Sequence, residues 1–181
     1  MTDHDTPATS LLKEYGAETT KHSGGTLLTH LQRVEALLVE WGARPVLATA
    51  GLCHAFYGTD GLPLVLLELS ERDRLSAAVG TEVEELVYFY ASCDRKASYP
   101  SLAAEDASTV TFRDRFTGES FTPSLQQRRD FAELTVANEL DLAKVNASFR
   151  ERNGAGLLEL FTGWAPLLSD AARREVTAVL G

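Results

Sequence analysis

The chain has 181 residues, 44% of them hydrophobic and 24% charged, which is enough apolar side chain for one domain of ordinary size with a real core. A net charge of -9 repels a phosphate backbone, and no cluster of Lys and Arg makes a local exception, so nucleic acid is excluded as a partner. No stretch approaches the roughly 18 apolar residues of a membrane span, and the acidic, polar start lacks the basic and apolar regions of a secretory signal. The expectation is a cytoplasmic protein without a membrane partner, in which Cys53 and Cys93, belonging to no CxxC pair, are reduced and buried.

Residues 1–10 read as a loose lead-in, and Leu11 to Ala17 as a short helix stopped near Gly16. The run from Lys21 to Gly25 is a polar, glycine-rich turn. Thr26 then caps a helix whose apolar positions, Leu27, Leu28, Leu31, Val34, Leu37, Leu38 and Trp41, keep the 3.6-residue period, with Gly42 as its stop. His30 falls on that buried stripe. Pro45 opens the next helix, and Leu47, Ala50, His54 and Tyr57 mark its inner face. The expected end is Gly58, so that Gly58 to Pro63, with Asp60, forms a loop at the helix's C-terminal mouth.

Val65 to Leu69 is apolar and compatible with strand or helix, and Ser70 to Val79 is helical up to Gly80. Thr81 with Glu84 has the spacing of a capping box for a helix from Glu82 to about Ser92, which carries Val83, Leu86, Val87 and Tyr90 on its apolar face. Asp94 and Arg95 follow its end. Residues 96–108 are polar connection, with room for one helical turn. The segment Thr109 to Phe116 alternates apolar and polar, Thr117-Gly118 turns the chain, and Ser120 to Thr122 pairs back as a hairpin. Ser124 starts the longest helix, reaching about Arg152, on which Asn138 and Asp141 follow Leu134 at helical spacing. Closing helices over about Gly156 to Gly163 and Ser169 to Leu180 complete a single, mainly α domain.

His30, His54, Asn138 and Asp141 thus all fall on apolar helix faces. A lone histidine there is ordinarily a satisfied core residue, but burying a polar group without a partner costs roughly 1–3 kcal/mol. Four such groups point to a shared pocket, where they satisfy one another, a metal or a ligand; an internal hydrogen-bond network is the other solution. Cys53 and His54 are no dyad, because adjacent helix positions point about 100 degrees apart.

The spacing of His30 in THLQRV, His54 in AGLCHAF and the segment VANELDLAKV resembles the HD superfamily of helical metal-dependent phosphohydrolases, and more narrowly its RelA/SpoT-type branch. His22-Ser-Gly-Gly-Thr-Leu-Leu-Thr-His30 is similar to that branch's opening motif, Ala50 to Ala55 to its A-x-L-L-H-D helix, and Ala137 to Leu142 to its A-D-R-L-H-N helix. LSAAVGTEVEELVYFY resembles the helix between them. His54-Ala-Phe-Tyr57-Gly-Thr59 also fits an H-x-x-Y-G-T signature of a set of small HD-like proteins. The resemblance, over about residues 20–146, implies an HD-like helical bundle with the small hairpin inserted before the long helix.

It also implies a metal held by His, His-Asp and Asp, but Ala55 stands in place of the first Asp and Asn138 in place of the second. Asp141, one turn further on, could restore a set of two histidines and one carboxylate. The leading expectation is a small-molecule enzyme that keeps the HD pocket without its hydrolytic metal centre. In it His54, His30 and Asp141 are the catalytic groups, with His22, Tyr57, Asp60, Arg95 and Asn138 binding the substrate. No cofactor is required by this reading. The alternatives are a phosphohydrolase or oxygenase with a divalent metal on His30, His54 and Asp141, and a non-catalytic ligand-binding or interaction domain.

Overall fold

The computed structural model describes residues 5–181, so the histidine at position 4 and the start of the expected loose lead-in lie outside the described residues. The architecture is mainly α, with nine α-helices and two small two-stranded hairpins among the described residues. Contacts group into two compact units, one ending at Ala91 and one spanning Ser92–Gly181.

In the first unit, α1 spans Pro7–Glu14, earlier than the apolar pattern predicts. Thr6 caps it by accepting from the Thr9 N–H at 3.2 Å, and Pro7 supplies a pre-set helical φ. The glycine-rich turn is itself a hairpin: β1 (Lys21–His22) pairs antiparallel with β2 (Gly25–Thr26). Helix α2 (Leu27–Glu40) is capped by Thr26 and buries Leu27, Leu28, His30, Leu31, Val34, Leu37 and Leu38. It stops at Gly42, whose φ of 74° lets the Ala43 N–H return to the Leu38 carbonyl at 2.9 Å.

Helix α3 runs Pro45–Cys53, one turn shorter than expected. Past Cys53 the chain tightens into three-residue bonds, Phe56 N–H to Cys53 and Gly58 N–H to Ala55, both 3.1 Å. The Phe56 carbonyl is then taken by the N–H groups of Leu66 and Leu67 at 3.0 and 2.9 Å, so a returning segment claims the acceptor that a longer helix would have used. Residues 65–67 are irregular rather than strand or helix, although Leu67 is buried.

Helices α4 (Arg72–Val79) and α5 (Thr81–Ala91) complete the unit. Helix α3 packs on α2 and α5, and α1 packs on α3 and α4.

In the second unit, α6 (Arg95–Ser98) is capped by Asp94. The expected hairpin is present but short, β3 (Phe112–Arg113) against β4 (Ser120–Phe121). Asp114 shapes its turn by accepting from the Phe116 N–H at 2.7 Å, and Gly118 supplies a φ of 76°.

The expected long helix ends early, as α7 (Leu125–Val145), and its remainder joins the expected closing helix without a break in α8 (Ala147–Gly163). Asn146 is extended, and its side chain accepts from the Phe149 N–H at 2.9 Å, so an N-cap restarts the helix where uninterrupted periodicity was expected. Ser124 and Gln127 form a capping box at the start of α7, and Ser169 caps α9 (Asp170–Leu180) as predicted. Phe112, Phe131, Phe161, Trp164 and Tyr99 form the aromatic core of this unit, with ring separations of 4.8 to 6.4 Å.

Candidate functional site

Three histidines from distant parts of the first unit stand in a row. His22 comes from β1, His30 from the first turn of α2 and His54 from the turn after α3. The His22 and His30 rings stack with centroids 4.3 Å apart and planes 28° apart. His30 and His54 meet edge to face at 5.5 Å and 81°, and His54 meets Tyr90 of α5 in the same manner at 5.5 Å and 82°. His30 is 2% and His54 4% exposed, so both point inward as the helical spacing predicts.

Local chain geometry explains each placement. The 21–26 hairpin folds back on the start of α2, and Arg33 Nη2 holds its turn by donating to the Ser23 carbonyl at 3.1 Å. His54 follows the last turn of α3, where carbonyl groups lose their helical partners. Its Nδ1 lies 2.7 Å from the Gly51 carbonyl oxygen. A carbonyl oxygen only accepts, so Nδ1 carries a proton and the neutral ring has its lone pair at Nε2.

Tyr57 lies in the same turn as His54, but its hydroxyl is directed to Glu84. It donates to Oε1 at 2.7 Å, while Arg72 grips both carboxylate oxygens, Nε to Oε1 at 2.7 Å and Nη2 to Oε2 at 2.8 Å. Burial, followed by the hydrogen bond to Glu84, pushes the Tyr57 phenol well above its ordinary range. Glu84 therefore closes no capping box with Thr81; two charge-assisted partners hold it. Cys53 is fully buried, and burial with the charge of Glu35 pushes its thiol up, which leaves an inert side chain. Asp60 is exposed, in a tight turn closed by reciprocal backbone bonds between Thr59 and Leu62 at 3.0 and 3.1 Å.

Asn138, Glu139 and Asp141 belong to the second unit, where α7 buries all three, Asp141 to 2% exposed. Arg95, the first residue of α6, is 3.7 Å from Glu139. The structure thus gathers His22, His30 and His54 in one unit and Arg95 with Glu139 in the other. Tyr90, Arg72, Glu84 and Glu139 escape the sequence reading of the site. Tyr90 reads as one more apolar position of α5, and Glu84 as a cap.

An HD-type metal centre needs carboxylates beside its imidazoles. Ala55 offers none next to His54, and among the described residues no group of three His, Cys, Asp or Glu side chains could hold a metal ion. The described residues therefore show no donor set for such a centre; His30 and His54 belong to the first unit and Asp141 to the second.

Residues 11–95 match a family model described as Domain of unknown function (DUF6817). That stretch takes in the three histidines of the row and Tyr90. No curated protein and no solved structure matches the chain. Among the described residues no helix is long and apolar enough to cross a membrane.

Proposed function

We propose that the histidine row is an acid-base site for a small molecule, built on a degenerate HD-type pocket, with His54 as the proton-transferring group. The observation that carries this reading is the 2.7 Å contact between His54 Nδ1 and the Gly51 carbonyl. It holds one tautomer, so that Nε2 takes the substrate proton and returns it, while the carbonyl dipole stabilises the imidazolium formed in between. Tyr90 and His30, each edge to face with His54, limit rotation of its ring. The nearness of His30 and His54 is what an HD-type ancestry requires. Their burial favours a compact substrate over a polymer.

The test is turnover of nucleoside phosphates and small metabolites by the intact chain and by His54→Gln, followed by mass spectrometry. The expected result is a consumed compound, with turnover lost in the variant. A compound that raises the melting temperature and is never consumed would overturn the enzymatic reading in favour of a binding domain. Stoichiometric metal in protein purified without chelator, lost in His54→Ala, would overturn the metal-free one. Long-range proton-nitrogen correlation of the imidazoles should show His54 as the Nδ1–H tautomer.

A further inference from the structure

Within the second unit, residues 99–104 and α8 border an open groove of about 600 Å³, lined among others by Tyr99, Ala104, Gly156, Glu159, Leu160 and Trp164. That volume is in the range of small-molecule sites. None of these residues belongs to the histidine row. Gly156, Leu160 and Gly163 follow one another at intervals of four and three, so one face of α8 forms a side of the groove. A Cβ on Gly156 or Gly163 would meet no atom within 4 Å.

Glycine is a poorer helix former than alanine, and at Gly156, inside α8, the packing of the chain gives no reason for it. Its effect is to give the groove depth beside Leu160. Glu159 is the one charged residue among those lining the groove. The Tyr99 ring is half-buried and stands edge to face with Trp164 at 4.8 Å.

The geometry points to a binding site for a small organic ammonium compound with an apolar or aromatic body. The Glu159 carboxylate takes the ammonium, and Leu160 with the Tyr99–Trp164 pair takes the body. Aromatic rings beside a carboxylate favour a cation, and the net charge of -9 raises the local concentration of cations around the chain.

The experiment titrates the whole chain with phenethylammonium, and in parallel with 2-phenylethanol and phenylacetate as neutral and anionic counterparts. The readout is the indole N–H resonance of Trp164, distinguished from that of Trp41 by Trp41→Phe. The expected result is a saturable shift with phenethylammonium and binding about tenfold weaker for 2-phenylethanol, the difference one charge-assisted contact makes. Glu159→Gln, a surface change that does not threaten folding, should weaken the amine by a similar factor and leave the alcohol unchanged. Gly156→Leu fills the groove and should abolish the shift without lowering the melting temperature. Phenylacetate binding as tightly as the amine, an unaltered amine titration in Glu159→Gln, or no saturable shift with any of the three compounds would overturn the assignment.

Discussion

The Tyr57 hydroxyl and the Arg72 Nε converge on one oxygen of Glu84, each at 2.7 Å, which fastens the turn carrying His54 to α4 and α5. Glu84 is 3% exposed, and its removal leaves a buried phenol and a guanidinium without their acceptor. The Arg72 side chain is 36% exposed, so water recovers part of that loss. Glu84→Ala is expected to cost about 2 kcal/mol and Tyr57→Phe about 1 kcal/mol. Urea denaturation of the two variants checks both values, and unchanged midpoints would show that the contact is not formed in solution.

Burial raises the ionisation of Tyr57 and Cys53 above their ordinary values of 10.0 and 9.0. The native state then keeps protons that the unfolded chain gives up, so stability falls as pH rises above about 9. Cys53→Ala should flatten the first part of that decline and Tyr57→Phe the later part. Thermal melts between pH 7 and 11 provide the measurement.

Glu133 is 7% exposed and accepts from the Ser169 hydroxyl at 2.5 Å and the Ser169 N–H at 3.0 Å. Burial is the largest influence and raises its pKa from 4.5; nearby Asp130 adds to the rise, and the Ser169 hydrogen bonds oppose it. For a carboxyl raised in the folded state, the native form binds the extra proton. Its contribution therefore improves as pH falls through the folded value and levels off below 4.5. The native protein should gain stability relative to Glu133→Gln when the pH is lowered from 7 towards 5, as read from paired denaturation curves. A difference independent of pH would contradict the raised ionisation.

Gly58 has a φ of 70°, and a Cβ there would stand 3.1 Å from the Leu64 carbonyl oxygen and 3.3 Å from that of Leu62. Both the conformation and the close backbone oppose a side chain. Gly58→Ala is expected to lose about 2 kcal/mol and to disturb the turn that holds His54. Denaturant melts give the first quantity, and the His54 imidazole resonances report the second. Gly42→Ala, with a φ of 74° but no atom within 4 Å of its Cβ, is the control and should lose less.

Most helix starts are legible in the chain because their determinants lie within four residues. Thr26, Ser124 and Ser169 cap as written, Pro45 opens α3, and Gly42 closes α2. The same short-range logic failed at Asn146. An apolar period continues across it, and only the competition between the helix ladder and a side-chain cap shows that the helix restarts there. The candidate site was legible in half. Periodicity indicated that His30, His54, Asn138 and Asp141 face inward, and all four are buried.

Which groups those inward side chains meet was settled by tertiary structure. The Lys21–Thr26 hairpin lays His22 on His30, and the early end of α3 turns His54 onto the Gly51 carbonyl. Glu84 passes from a local cap to Tyr57 and Arg72, 27 and 12 residues away. Sequence by itself determined the helical class and the faces that turn inward, since both follow from neighbours along the chain. The pairing of the histidines and the role of Glu84 depend on contacts between segments far apart in sequence, where a buried charge-assisted bond outweighs a solvent-exposed cap.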